Sequence, residues 1–322
     1  MLTYIVRRIL YSIPVLFLST YISFLFVAIA GDPTANLRQN PHIPPQTIQN
    51  VIHQNHLDVS PFVRYFYWLH DVFTQGFGHS LLTGTPIWPQ LSTAMWNSAQ
   101  FLLIAWVLAL VLGCAVGIYS AIRQYSAFDY SFTALSFLGF AMPTFLLALL
   151  LQMGATSLYN RTGVRVFYVA GLNSDPVGPT WSWDRLQHLA LPVITIATIS
   201  FAVYSRYMRA SMLDVINSDY VRTARAKGVA EWRVISRHIV RNALIPLVTI
   251  AALDVGAILG GAIVTETIFT IPGMGWYFIT NLSSSDMYPV MAYLVVVAVF
   301  IIIFNLIADV AYGLLDPRIR YD

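Results

Sequence analysis

Chemistry in this sequence can reside at two acids set in apolar surroundings and in one basic segment. Asp254 falls near the middle of an apolar region over 243–269, and Glu266 near its end. A charged side chain at the centre of a bilayer costs about 2.5–3.5 kcal/mol on insertion scales. Asp254 must therefore face a partner helix, a water-filled path or another subunit, or carry a proton. A path role and an intersubunit structural role both stay open for it. Asp309, near the end of the last apolar run, is expected to pair with a basic loop. Pro143 and Pro192 are expected to kink the apolar runs that hold them.

The basic segment, 206–242, carries eight basic residues and three acids. Within it, Asn217 or Ser218 can cap a helix start. Asp219 then suits the positive end of the helix dipole, and Arg225 and Lys227 suit the other end. Gly228 reads as the stop, because glycine accepts the left-handed conformation at little cost. A second helical stretch is expected over 231–241. The product is a short helix, a tight turn and another helix. Small Ala224 and Ala226 would permit close approach by another protein. Contact of the basic face with anionic lipid explains the same charges, and the residues alone do not choose.

Other chemistry has no footing. Lys227 is the only lysine and follows no Gly-x-x-x-x-Gly motif, so no phosphate loop exists. The seven histidines show no metal-ligand spacing, and no Gly-x-Ser-x-Gly elbow occurs. Neither a catalytic residue nor a metal site is assigned. Arg206/Arg209 and Arg222/Arg225 recur at three-residue spacing, but the second pair lies in a polar loop and no selectivity-filter sequence accompanies them, which argues against a voltage-gated channel. No repeated halves support an ion-coupled secondary transporter.

These residues need a frame to hold them. Of 322 residues, 57% are hydrophobic and only 10% charged, and mean hydropathy is +0.65. Soluble domains are about 25% charged, so a typical cytosolic enzyme, a disordered chain and a coiled coil are excluded. A bilayer crossing takes roughly 20 apolar residues. Six spans are expected, near 9–30, 98–121, 132–156, 187–208, 243–268 and 288–312, all helical because lipid offers no partner to unpaired backbone groups. On the side of the termini lie 13 of the 18 Lys and Arg residues, which makes both termini cytoplasmic. Arg7-Arg8 before the first run, with Ala28-Ile29-Ala30 after it, also has the grammar of a signal peptide. The run is longer than such a core needs, so a retained helix is expected. Cys114 is the single cysteine, so no intrachain disulfide forms. The long loop over 31–95 is expected to hold a short helix over 47–56 and an aromatic helix over 61–73 at headgroup level; an outside partner could also dock there. The loop over 159–185, with Gly171, Pro176, Gly178 and Pro179, is expected to be irregular.

The segment Asp219-Tyr220-Val221-Arg222-Thr223-Ala224-Arg225-Ala226-Lys227-Gly228 resembles the coupling motif of ABC importer permeases. The family's Glu-Ala-Ala is here Arg222-Thr223-Ala224, a departure that resembles the peptide-permease branch. His238-Ile239-Val240-Arg241-Asn242-Ala243-Leu244-Ile245-Pro246 resembles the same branch. So do Gly31-Asp32-Pro33, Gly76-Phe77-Gly78-His79-Ser80, Pro143-Thr144-Phe145, His188-Leu189-Ala190-Leu191-Pro192, Glu266-Thr267-Ile268-Phe269 with Pro272-Gly273-Met274-Gly275, and Leu315-Asp316-Pro317-Arg318-Ile319-Arg320. Similarity spans nearly the whole chain. It is strongest to the first permease subunit of bacterial dipeptide and oligopeptide ABC transporters.

The resemblance implies an all-α polytopic protein with one N-terminal helix plus a five-helix type I importer core. It divides the chain into 1–96 (first helix and long extracytoplasmic loop), 97–313 (permease core) and 314–322 (cytoplasmic tail). It implies a coupling helix carrying Asp219, Tyr220, Arg222, Thr223, Ala224, Arg225 and Gly228. Pro143, Asp254 and Glu266 become candidate path or gate residues, with Glu266 at the outer mouth in a gating or loop-anchoring role. Implied partners are a second homologous permease, one or two cytoplasmic ATPases that hold ATP and Mg, an extracytoplasmic peptide-binding protein and membrane lipid, with no nucleic acid. No cofactor is expected on this chain. The expected location is the bacterial inner membrane and the expected cargo short peptides, with nickel or a small solute such as glutathione as alternatives.

Overall fold

The computed structural model describes residues 2–30, 32–39, 41–175, 182–258 and 260–315. Gly31, Pro176, Gly178, Pro179 and the charged end of the 315–320 motif fall outside them. The regular elements among the described residues are helices: α1 (Leu2–Ala30), α2 (Ala35–Gln39), α3 (Pro45–Gln54), α4 (Pro61–Gln75), α5 (Ile87–Ile122), α6 (Ala127–Ala141), α7 (Thr144–Thr162), α8 (Trp183–Ile216), α9 (Asp219–Ala226), α10 (Glu231–Arg233), a π-helical segment (Val234–Val240), α11 (Arg241–Ile258), α12 (Ile263–Ile268), α13 (Met274–Ser283) and α14 (Met287–Leu315).

Among the described residues, five helical stretches are long and apolar enough to cross a bilayer: Ile5–Ile29, Ile87–Ile122, Trp183–Ile216, Glu231–Gly256 and Met287–Val310. The expected third span is a broken pair. After Met142, Pro143 takes φ −60° and ψ 136° and heads α7, and α6 and α7 meet at 106°. Proline supplies no N–H to bridge the two helices, and it disfavours helical backbone in the residue before it. Pro192 behaves otherwise, lying inside α8, which runs unbroken from Trp183 to Ile216. The expected fifth span, 243–268, is displaced toward the N-terminus, to Glu231–Gly256. α11 ends at Ile258, and α12 is a separate short helix.

α5 and α8 form the longest packing seam. They run parallel, since Arg185 meets Asn97 and Gln100 near their starts while residues 113 and 117 meet 204–209 further along. Gly117 makes this possible: a Cβ there would stand 2.7 Å from Met208 Cβ and from the Ser205 carbonyl. Gly113 and Gly117 compose a small-xxx-small pair of the kind that lets membrane helices approach closely. α11 packs on α8 and α14, and α14 packs on α1.

The first helix is a packed member of the bundle. Phe24 is fully buried, Thr20 shares a 2.9 Å hydrogen bond with the Tyr65 hydroxyl, and Tyr21 meets the Tyr65 ring edge-on at 4.9 Å. α4 therefore uses Arg64, Tyr65 and Trp68 to cover α1 and leaves Phe62, Phe66 and Phe73 exposed. On α6 and α7, Phe137, Leu138, Phe140, Phe145, Leu149, Leu150 and Met153 are exposed. Apolar surface of this extent calls for lipid or another protein against it.

Candidate functional site

The first candidate site is α9 and its turn. Val221 and Ala224 are buried in the cluster that holds Met212, Val234 and Ile239. Tyr220, Arg222, Thr223 and Ala226 are exposed. Three residues apart, Val221 and Ala224 share one helix face. The helix ends as expected. Gly228 takes φ +74°, its N–H donates to the Arg225 carbonyl at 2.9 Å, and the Val229 N–H donates to the Ala224 carbonyl at 3.2 Å. These two bonds satisfy carbonyls the helix leaves open. Arg225 then closes the turn on Glu231 with contacts of 2.7 and 3.2 Å. The site is a hydrogen-bonded helix–turn–helix that presents one polar face.

Two expectations change here. The Ser218 side chain does not cap α9; its hydroxyl donates back to the Val215 carbonyl at 2.7 Å and closes α8. Ala224 does not face outward, because its small side chain seats α9 against its own chain. The exposed surface open to a partner comprises Tyr220, Arg222, Thr223 and Ala226. Asp219 is fully exposed and lies 3.8 Å from Arg222, a surface pair of little energetic weight.

The second candidate site lies at the opposite end of α8, around α12 and α13. Glu266 is fully buried. It accepts from the Ser98 hydroxyl at 2.7 Å, the Trp276 N–H at 2.9 Å and the Ala262 N–H at 3.3 Å. Ser98 in turn accepts from the Met274 N–H at 2.7 Å. The Asn97 amide donates to the Pro272 carbonyl at 3.0 Å, and Gln152 donates to the Ile268 and Val169 carbonyls. Side chains from α5 and α7 thus hold the 262–276 segment by its backbone. Buried Arg185 extends the network through Gln100 at 3.0 Å and Asn97 at 3.4 Å.

Asp254 belongs to neither network. It accepts from the hydroxyl of fully buried Tyr204 at 2.9 Å, beside the Trp106 indole bonded to the Ala251 carbonyl. Its partner is therefore within this chain. Asp309 pairs with Arg8 of α1. Pro143 sits exposed at the α6–α7 break.

Two structural acids escaped the sequence reading. Asp129 is buried and receives two hydrogen bonds from Arg209, at 2.7 and 2.8 Å, while Ser126 caps α6 by accepting from its N–H. The Ser126-x-x-Asp129 spacing was a readable start signal. Asp286 is buried between α13 and α14, where it accepts from the Ser80 hydroxyl and the Leu81 N–H. It pins the Gly76–Ser80 motif to the bundle.

Long apolar helices, acids tied off inside the bundle and a polar helix–turn–helix at one end define a polytopic helical membrane protein. Residues 113–321 match the family described as binding-protein-dependent transport system inner membrane component, residues 1–108 match the N-terminal region of such membrane components, and the chain belongs to this family. It is similar to the oligopeptide transport system permease protein AppB of Bacillus subtilis, 39% identical with both chains fully covered. It is 36% identical to the oligopeptide transport system permease protein OppB of Mycobacterium tuberculosis over 99% of each chain. It is 35% identical to the dipeptide transport system permease protein DppB of Escherichia coli, over all of this chain and 99% of that one. The family is the non-catalytic membrane component of its transport systems.

Proposed function

We propose that this chain forms half of the membrane path of an ATP-driven importer of short peptides. The observation that carries this reading is the helix–turn–helix at 219–231, seated by Val221 and Ala224 and locked by Arg225 and Glu231. A polar helix tied by hydrogen bonds to the end of a transport bundle suits transmission of force from an ATPase. Full-length similarity to permeases named for oligopeptides and dipeptides supports the cargo.

In this reading, Tyr220, Arg222 and Thr223 enter a groove on a cytoplasmic ATPase that holds ATP and Mg. A second, homologous permease covers the exposed faces of α6 and α7, and an extracytoplasmic binding protein delivers peptide at the end held by Glu266. Both termini lie in the cytoplasm. Residues 1–96 form the first helix and outer loop, 97–313 the core and 314–322 the tail. Glu266 anchors the outer loop, Pro143 sets the angle between α6 and α7, and Asp254 braces α11 on α8 beside the path. Conformational change then follows when ATP and peptide favour different arrangements of the bundle.

The test is purification of the intact complex, followed by reconstitution with its binding protein. Subunit identification should return a second permease and ATPase, and a labelled tripeptide should enter vesicles only with ATP. Nickel import without peptide import, or uptake driven by an ion gradient alone, would reject the reading.

A further inference from the structure

We propose that the cleft at the outer end of α7 is a peptide subsite, in which Arg161 and Arg165 hold the C-terminal carboxylate of the cargo. The inference rests on the importer reading above and names the part of the cargo that this chain grips.

Two open cavities, of about 740 and 420 Å³, adjoin along Thr156, Asn160, Val169 and Ala170. Volumes of this order are typical of small-molecule sites. Arg161 lines the first and Arg165 the second. The end of the bundle that carries few cations holds five arginines in all. Arg38 lies 3.8 Å from Asp32, Arg64 is buried against Phe24 and Met287, and Arg185 is buried on Gln100 and Asn97. Arg161 and Arg165 are exposed, and among the described residues neither pairs with an acid.

Arg165 is also held in place. Its guanidinium lies 4.7 Å from the Tyr159 ring centroid and 5.3 Å from that of Tyr168. Tyr168 is itself stacked on His188 at 3.9 Å. The Gln187 amide donates to the Arg165 and Val166 carbonyls, each at 3.0 Å. A guanidinium fixed by its faces keeps its N–H edges for a planar, two-oxygen acceptor, which is the geometry of a carboxylate. Preorganisation of this kind lowers the ordering cost of binding. Asn160 adds an amide that can meet a peptide carbonyl. The same cleft is lined by Gln152, which holds the Ile268 carbonyl, so a bound peptide lies next to the loop that Glu266 anchors.

The test compares uptake of a labelled tripeptide and of its C-terminal amide by the reconstituted complex, with one binding protein throughout. ATPase turnover serves as the assembly control. In R161Q and R165Q, uptake of the free acid should fall about tenfold, the scale of a lost charge-assisted pair, while amide uptake and ATPase turnover stay within about twofold. R165K should recover only part of the acid uptake, since it keeps charge without the planar stack. Equal loss for both peptides would overturn the proposal and indicate contact with lipid phosphate or a structural role, which a change of vesicle headgroup would separate. Unchanged acid uptake in the R161Q/R165Q double variant would also overturn it. Failure of the unaltered complex to move either peptide would reject the importer reading itself.

Discussion

Arg8 and Asp309 stand 301 positions apart and meet at 2.6 Å, joining the first helix to the last. The pair sits at the end of the bundle that carries α9. Since α1 exposes most of its apolar surface, this contact helps fix how α1 lies along α14. The Arg8 side chain is about half exposed, so its electrostatic worth is modest. A double-mutant cycle of R8Q and D309N should give a coupling of about 0.5 kcal/mol, near the middle of the range for exposed pairs. Thermal unfolding of the purified protein measures it, and strict additivity of the two substitutions would contradict a direct interaction.

Glu266 organises three donors without a cation at hand. Glu266→Ala leaves the Ser98 hydroxyl and two backbone N–H groups buried and unsatisfied, at about 1–3 kcal/mol each. Ser98→Ala removes one link and should cost less. The expected order of thermal stability is wild type, then S98A, then E266A. An E266A protein as stable as wild type would show that the outer loop is held by something else.

The two faces of α9 predict opposite phenotypes. Ala224→Trp overpacks the seat against Val234 and Ile239, where overpacking typically costs about 1–3 kcal/mol. It should lower thermal stability and ATPase recovery together. Arg222→Glu, on the exposed face, should lower ATPase recovery severalfold and leave stability unchanged. Normal recovery with R222E would remove that face from the proposed contact.

Asp286 gives a pH signature. Burial raises its carboxyl pKa above the usual carboxylate range, against hydrogen bonds from Ser80 and Leu81 that lower it. The folded state therefore holds the proton more tightly than the unfolded one. Its contribution is fully present below the unfolded pKa and is lost as pH rises through the raised folded value. Wild-type stability should decline across that acidic interval, and D286N should show a shallower decline there. Identical slopes, measured as unfolding midpoint against pH, would refute the assignment.

Much of this frame was legible because lipid leaves few options: apolar length gave the helices, and Gly228 gave the turn. The size of the break at Pro143 was not legible, since a proline signals a kink without setting an angle of 106°. The facing of Ala224 was misread because small size suits close approach by a partner and by the chain's own helices alike. Asp286 escaped because its partners, Ser80 and Leu81, lie 206 and 205 positions away. The close α5–α8 approach had a readable signal in Gly113 and Gly117, four residues apart.

The π-helical segment Val234–Val240 lies between α9's turn and α11. A wide turn of this kind takes up residues that an α-helix would have placed on the next turn. It works as a phase adjuster in a drive shaft. It sets the angular position of α11, and of Asp254 upon it, relative to the short helix at its foot. Removing one residue from Val234–Val240 would turn one end against the other by about 100°, the angle an α-helix assigns to each residue. Tyr220, Arg222 and Thr223 would then point elsewhere although no contact of theirs had been altered. The orientation of the short helix at the foot of the shaft is thus set by residues that lie outside it.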